Sequence, residues 1–476
     1  MIEAERIRSL NDRPERDGAY VLYWMQQSQR ARFNPALELA IGVANDRRLP
    51  VVVGFGLMDD YPEANARHYA FMLQGLKDVA ASLGERGIAF VIRRGSPEAV
   101  ALDLAGAAAV LVCDGGYLRH QRLWRKRVGE EAECPVVRVE GDVVVPVALA
   151  SAKAEHAART IRPRILRHRD QFLKSLPEQE VVADARPLGL ASDVDLADVD
   201  AVVAGLKVDP TVPPVRRLKG GTEEARLRLT TFLEAFAGYA SGRNQPADWR
   251  CSFMSPHLHF GQISPVEIAL AVRDAGAGSV EDKAAYLEEL IVRRELAINN
   301  VVYNPAYDRY EGVPQWARKT LADHAGDHRP HLYSVDELAA AETHDRYWNA
   351  SMREMAHTGF MHNYMRMYWG KKILEWSPDP ETAFAVTLSL NNRYFVDGRD
   401  PNAYTNVAWC FGLHDRAWTE RPIFGKVRYM NAAGLERKFD IGRYVSAVDA
   451  LVARERDGDI PKEQEKRQRG TGDGEG

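Results

Sequence analysis

From residue 19 to residue 147 the chain alternates short, continuous aliphatic runs with longer stretches of helical period. The runs are AYVLYWM, LPVVVGFGL, IAFVIRRG, AAVLVCDGG and CPVVRVEGDVVVP, and ARHYAFMLQGLKDVAASLGERG is typical of what separates them. No other feature limits the possible folds so strongly. A strand with one wet face alternates apolar and polar residues, whereas a strand that is apolar at every position has both faces buried and needs helices on each side. The pattern predicts a doubly wound, Rossmann-like parallel-sheet α/β domain over residues 19–150. No run is followed by G-x-G-x-x-G or by a Walker loop, so neither standard dinucleotide binding nor P-loop binding is expected there.

The remainder has a different character. Residues 151–220 open with the basic segment ARTIRPRILRHRDQF and pass into a stretch dominated by Pro, Gly and Asp, which predicts a long connector running over the surface. At Thr222, followed by Glu223 and Glu224 in the manner of a capped first turn, the strand signal fades, and helices are predicted to about residue 455. An all-α C-terminal domain over 221–455 follows, and 476 residues make two domains the natural expectation. The tail from 456 to 476 has almost no apolar residue and is expected to be disordered.

Composition narrows the classes further. Cys113, Cys134, Cys251 and Cys410 form no C-x-x-C pair, which argues against a disulfide framework or a structural zinc site. The charged start of the chain lacks an apolar signal core, and no run reaches about 18 apolar residues, so a cytoplasmic protein without a membrane partner is expected. With a formal net charge of −4, a polyanionic partner has to be met by a local basic patch.

Four stretches of the helical half carry candidate chemistry. In SFMSPHLHFGQIS, residues 252–264, Ser255 before Pro256 reads as an N-cap with proline at N1, with Ser252 one turn earlier. Such a helix end suits a phosphate, although a well-capped helix needs no ligand. In YLEELIVRREL, Glu289 and Arg293 are spaced for an ordinary i,i+4 salt bridge, yet Glu288, Glu289, Arg293, Arg294 and Glu295 crowd an otherwise apolar stretch. A carboxyl group forced into a cleft there could stay protonated and donate a hydrogen bond. In MHNYMRMYWGKKILEW, Trp369 and Trp376 are seven residues apart, hence about 20° apart around a helix and roughly 10 Å along it. Arg366 and His362 lie near the same face, and the spacing alone leaves core packing and chemistry both open. Finally, between residues 393 and 438 eight Lys or Arg stand against five Asp or Glu, interleaved with Tyr394, Tyr404, Trp409, Trp418 and Tyr429. Rings among basic residues suit a nucleic-acid strand with unstacked bases.

SPHLHFGQIS, EELIVRREL, MRMYWGKKILEW, LNNRYFVDGRDPNAYTNVAW and HDRAWTERPIFGKVRYMN, in this order, resemble the photolyase and cryptochrome superfamily, and within it the class II cyclobutane pyrimidine dimer photolyases. The resemblance runs from about residue 19 to 440. It implies FAD in the helical domain, with Ser252, Phe253, Met254 and Ser255 at its phosphates, Tyr239 and Leu258 nearby, and Arg366 with Asp397 and Gly398 beside the ring system. Asn391 matches the residue facing flavin N5, and Trp369, Trp348 and Trp376 match an electron chain in that order. Glu289 and Trp409 match the residues that meet a flipped-out dimer, and Arg416 with Arg428 are candidates for contact with UV-damaged duplex DNA. The implied activity is light-dependent dimer repair by a monomer. A cryptochrome-like receptor, or a flavin protein that binds DNA without repairing it, is the alternative. QRARFN, residues 29–34, resembles an early motif of the antenna domain, for which a deazaflavin, a folate or no pigment is compatible.

Overall fold

The computed structural model describes residues 2–457. Its first half is built as β1 (Ile7–Ser9), β2 (Tyr20–Trp24), α1 (Pro35–Arg47), β3 (Val51–Leu57), α2 (Ala66–Glu85), β4 (Ala89–Arg94), α3 (Pro97–Ala105), β5 (Ala108–Asp114), α4 (Arg119–Glu131) and β6 (Val136–Val139). The sheet order is β1-β6-β5-β2-β3-β4, and all neighbours are parallel except β1 and β6. Both faces are buried, as the continuous apolar runs require. Val21 and Tyr23 pack with Val51, Val53, Leu37 and Ile41, while Leu22 and Trp24, pointing the other way, pack with Val52, Leu104 and Val128. The order of strand addition reverses at β2 and β5, with β3 and β4 added on one side and β5 and β6 on the other, the place where doubly wound sheets open a crevice at their carboxyl ends.

Three sequence expectations change here. The edge strand β1 is a three-residue antiparallel addition that no apolar run announced. The stretch 134–146 is not one strand: after Val139, Gly141 and Asp142 break it, and Val143–Val145 are buried outside the sheet. Their backbone groups find partners elsewhere. Glu295 accepts from the Val144 and Val145 N–H groups at 2.6 and 3.2 Å, and Arg6 donates to the Val143 and Val144 carbonyls. Burial pushes the Glu295 carboxyl up to about 8 despite those donors. Thr222, expected to cap, is instead the first helical residue and donates its hydroxyl to the Gln262 carbonyl.

Residues 151–220 are more structured than a bare connector. The helix Ala158–Phe172 sinks Ile161, Ile165 and Phe172 into the core of the helical half, and Val194, Leu196, Val202 and Leu206 pack on the sheet half. From Thr222 on, every regular element is helical among the described residues, ending in Ile441–Asp457. The tail expectation beyond 457 lies outside the described residues.

The two halves are bolted through the segment after β2. Asp114 at the end of β5 accepts the N–H groups of Gln26, Gln27 and Ser28 at 2.9, 2.7 and 2.8 Å. Arg30, fully buried, pairs with Asp142 at 2.7 Å and donates to the Gly261 carbonyl of the helical half at 2.9 Å. Gly261 has φ +64, and a Cβ there would lie 2.1 Å from the Gln27 carbonyl oxygen, so only glycine lets the segments approach this closely. Asn34 caps α1 through the Ala36 and Leu37 N–H groups.

Candidate functional site

A cleft of about 1190 Å³ of empty space opens in the helical half. Its wall gathers segments far apart in sequence: Tyr239 and Arg243, then 250–255 with Leu258, then Glu289 and Arg294, then 360–363 with Arg366, and Asp397, Asp400, Asn402 and Asn406. Nine of the expected residues meet here: Tyr239, Ser252, Phe253, Met254, Ser255, Leu258, Glu289, Arg366 and Asp397. The segments are held under strain. Five of the nine described non-glycine residues with positive φ (Trp249, Phe253, Arg399, His414 and Ile423) fall in the 249–254 wall, the turn after Asp397, and the basic loop that follows.

Local structure departs from helical arithmetic where the carboxylates are. Residues Glu288–Arg293 form a π turn, with i→i+5 bonding, between the α-helices Val280–Leu287 and Arg294–Tyr303. The wider turn rotates Glu289 out of line with Arg293, so the expected i,i+4 bridge is absent. Arg293 pairs with Glu288 at 3.4 Å, and Glu289 pairs across the cleft wall with Arg243 at 2.7 Å. Burial works to lower the Arg243 pKa, and the ion pair more than offsets it. The carboxyl that burial raises in this stretch is Glu295, which is almost fully buried, whereas the Glu289 side chain is 39% exposed.

Ser255 does not cap. The helix Ser255–His259 begins at Ser255, with Met254 before it in α conformation and no side-chain cap. At five residues it has little dipole to offer, so the polar wall comes from side chains: Ser252, whose hydroxyl accepts from Tyr286 at 3.0 Å, and Asn244 and Arg250. Arg366 and Asp397 are paired at 3.4 Å, both largely buried, with the guanidinium 3.7 Å above the Phe395 ring. Asn391 and Gly398 stand behind the wall rather than on it. Asn391 donates to Asn392 at 3.1 Å, and a Cβ on Gly398 would fall 2.7 Å from the Asn392 carbonyl oxygen, so glycine is needed for the turn that presents Asp397.

A file of indoles begins one turn after Arg366. Trp369 and Trp376 share one face of the helix Asn363–Trp376, and Trp348, on the neighbouring helix Arg346–Thr358, sits between them. Its ring lies nearly parallel to Trp369 with centroids 6.5 Å apart, and 5.6 Å from Trp376. All three are almost fully buried. The Trp369 N–H has no acceptor, and the Trp348 N–H donates to the Trp369 carbonyl at 3.0 Å.

Trp409 follows Asn402 and Asn406 by seven and three residues in the helix Pro401–Cys410, so it continues the face that those two turn to the cleft. Lys371 and Arg428 flank its ring, each 5.3 Å from the centroid. Burial pulls the Lys371 ammonium down to about 8. Arg428 also covers Trp418 at 4.3 Å and is paired with Asp415 at 2.8 Å, while Arg416 lies exposed over the other indole contact, 4.8 Å from Trp418. Sequence reasoning missed Arg243, Asn402 and Asn406. Nothing in GYASGRNQPADWR marks Arg243, because its partner is reached through the π turn.

A second, smaller pocket lies at the carboxyl end of the sheet, by the switch point. Gln26, Gln29, Phe55, Met58, Tyr61, His68 and Trp124 line it from the sheet half, and His259, Phe260 and Arg399 from the helical half. Of QRARFN only Gln29 reaches it; Arg30 joins the halves and Asn34 caps α1.

The architecture, a parallel α/β sheet joined to a helical half with a large polar cleft, is that of photolyases and cryptochromes. A class III photolyase from Agrobacterium tumefaciens is superposable with a TM-score of 0.72 at 20% identity, over 95% of this chain and 92% of that one. The DNA photolyase family model matches residues 21–182. Two relatives named deoxyribodipyrimidine photo-lyase extend the similarity through the cleft. That of Methanothermobacter thermautotrophicus is 48% identical over 95% of this chain and 100% of its own length, and that of Oryza sativa subsp. japonica 40% over 94% and 91%. The chain belongs to the DNA photolyase family.

Proposed function

We propose that this chain is a light-driven lyase that splits cyclobutane pyrimidine dimers in UV-damaged DNA, and that it is of the class II kind. The observation that carries the reading is the cleft that the Glu289–Arg243 and Arg366–Asp397 pairs both line, with the indole file beginning one turn after Arg366 on the same helix.

The cleft fits FAD. Its donors are those a diphosphate and a polar ring system need: Arg243, Arg250, Arg366, Asn244, Ser252 and Ser255, set among Phe253, Met254, Phe360 and Met361. Tyr239 and Leu258 complete the apolar side. Bound and fully reduced, FAD supplies under light the electron that splits the dimer and takes it back. Arg366, fixed by Asp397 and held behind it by the Gly398 turn, places a permanent positive charge on the wall where negative charge has to be tolerated. Asn391 stands one layer deeper and can orient that wall through Asn392.

Arg243 orients Glu289 at 2.7 Å until a lesion enters; a dimer carbonyl would then compete for hydrogen bonding at this corner, which is why Glu289 is assigned to stabilising the electron-rich lesion. Trp409, clamped between Lys371 and Arg428, offers a rigid ring to flipped-out bases. Arg416, exposed, and Arg428, partly neutralised by Asp415, are assigned to the phosphates around the vacated site. Trp369, Trp348 and Trp376 conduct electrons inward to restore the reduced cofactor; the spacings of 21 and 7 residues support the class II reading. The second cavity is assigned to an antenna pigment, a deazaflavin or a folate. No helix among the described residues is long and apolar enough to cross a membrane, in keeping with action on DNA in the cytoplasm.

The test is to incubate the flavin-loaded, reduced protein with dimer-containing duplex under blue light and in darkness and to count remaining dimers. Loss in the light alone is expected; equal counts would overturn the reading.

A further inference from the structure

The two ion pairs of the cleft stand on segments far apart in sequence, and one side chain outside both pairs ties those segments together. His362 is 1% exposed and sits at the start of the helix Asn363–Trp376. Its carbonyl accepts the Arg366 N–H at 2.9 Å, one turn into that helix. Its ring Nδ1 accepts the Tyr364 N–H at 3.2 Å, which caps the helix and leaves the ring proton on Nε2. The Nε2–H donates at 3.0 Å to the carbonyl of Arg243, 119 residues earlier in the chain. The His362 backbone N–H donates to Glu354 at 3.4 Å, and Glu354 also takes the Trp249 indole N–H at 2.8 Å.

Arg243 needs such a hold. It follows the four-residue helix Tyr239–Gly242, and the next regular element is the 3-10 turn Pro246–Asp248, so it stands in a short linker and not within a long helix. Asp282 secures the near end of this segment by accepting the Gly238 and Ala240 N–H groups at 3.0 and 2.7 Å, and His362 secures the far end. The Arg243 guanidinium meets Glu289 at 2.7 Å on a third segment, so the anchored carbonyl fixes the origin from which that side chain reaches. Burial pulls the His362 pKa down to about 4, opposed by the bond to the Arg243 carbonyl and helped by the Arg243 charge. The ring is therefore neutral, and it keeps this one tautomer across the neutral range.

We infer that His362 is a positioning residue for repair: it holds the Arg243–Glu289 pair in register with the Arg366–Asp397 pair, so that a lesion met at the first lies correctly against the flavin ring assigned to the second. The inference rests on the proposed repair reaction and on the role proposed there for Glu289. The two ring nitrogens have separable duties. Nδ1 caps a helix, and its loss bears on stability; Nε2 holds Arg243, and its loss moves the lesion corner relative to Arg366. Two replacements divide these duties. The asparagine carbonyl oxygen takes the place of Nδ1, but its amide stops short of Arg243, whereas glutamine carries an N–H out to where Nε2–H stood and gives up the cap.

The experiment counts dimers repaired per absorbed photon by chemically reduced, FAD-loaded protein, with bound FAD read by absorbance. It compares wild type, His362→Asn, His362→Gln, Glu289→Gln and the double variant His362→Asn/Glu289→Gln. His362→Asn is expected to keep FAD and to repair about two- to tenfold less per photon, the worth of one hydrogen bond, and His362→Gln to recover most of that loss. In the Glu289→Gln background His362→Asn should cost nothing further, because the contact it displaces is already gone. A general loosening of the fold would instead subtract the same factor in both backgrounds and would not separate glutamine from asparagine. Equal factors in the two backgrounds, a wild-type yield in His362→Asn, or a glutamine variant no better than asparagine would each overturn the inference while leaving the repair reaction standing. Loss of FAD from His362→Asn would overturn it too, by showing that the residue holds the cofactor site and not the pair. No light-dependent repair by the wild-type protein would remove the proposed reaction, and this inference with it.

Discussion

Glu354 sets up a stability experiment whose sign is unusual for a carboxylate. It lies in the helix Arg346–Thr358, 1% exposed, and accepts from Trp249 Nε1 at 2.8 Å, from the Tyr444 hydroxyl at 2.5 Å and from the His362 N–H at 3.4 Å. Burial outweighs these donors and raises its pKa from 4.5 to about 7. Between those values the folded chain holds a proton that the unfolded chain has released, so stability falls as pH rises. The rise from 4.5 to about 7, at about 1.36 kcal/mol for each pH unit crossed, makes the loss about 3 kcal/mol, complete above pH 7. Glu354→Gln copies the protonated form: its amide nitrogen replaces an O–H donor, and the Tyr444 hydroxyl can turn to accept. Its stability should match wild type within about 1 kcal/mol at pH 4.5 and exceed it increasingly up to pH 7, reaching about 3 kcal/mol and levelling off. Denaturant unfolding at half-unit pH steps measures this directly. Parallel curves for the two proteins from pH 4.5 to 8 would show that Glu354 does not carry a raised pKa, and the reasoning from burial would fail with it.

Glu289→Gln leaves Arg243 without its ionic partner and should lower the repair quantum yield while FAD binding, read by absorbance, persists; the deficit expected from one charge-assisted hydrogen bond is about 1.5–3 kcal/mol, and an unaltered yield removes Glu289 from the lesion site. Trp369→Phe should nearly abolish photoreduction of oxidised FAD yet spare repair by protein reduced chemically beforehand, and intact photoreduction would contradict the file. Gly261→Ala places a Cβ against the Gln27 carbonyl at positive φ and should cost about 3 kcal/mol or more, seen as a lower melting temperature, whereas a neutral substitution would mean the halves are not held by that approach.

The strands could be read from the sequence because burial on both faces writes itself as unbroken Val, Ile and Leu, and five of the six strands carry such runs. Ile7–Ser9 could not, since an edge strand of three residues is defined by its partner and not by its own pattern. The same distinction governs the site. Helical period put Trp369 and Trp376 on one face, but that Trp348 fills the gap between them depends on how two helices pack, which only resemblance hinted at. The Glu289 contact was misread for a definable reason: spacing rules assume i→i+4 bonding, and one π turn cancels them. Arg243 is an ordinary surface-type residue in sequence, and only a tertiary neighbour gives it a partner.

The cavity by the switch point has walls from both halves, with Gln26, Tyr61 and Trp124 on one side and His259, Phe260 and Arg399 on the other. Whatever occupies it is therefore a linkage ligand for the docked state. If the pigment assigned to it binds there, a concentration a hundred times its dissociation constant would add about 2.7 kcal/mol to the free energy holding the halves together, before it has absorbed a single photon. Pigment supply would then register in the protein's thermal lifetime as well as in its action spectrum.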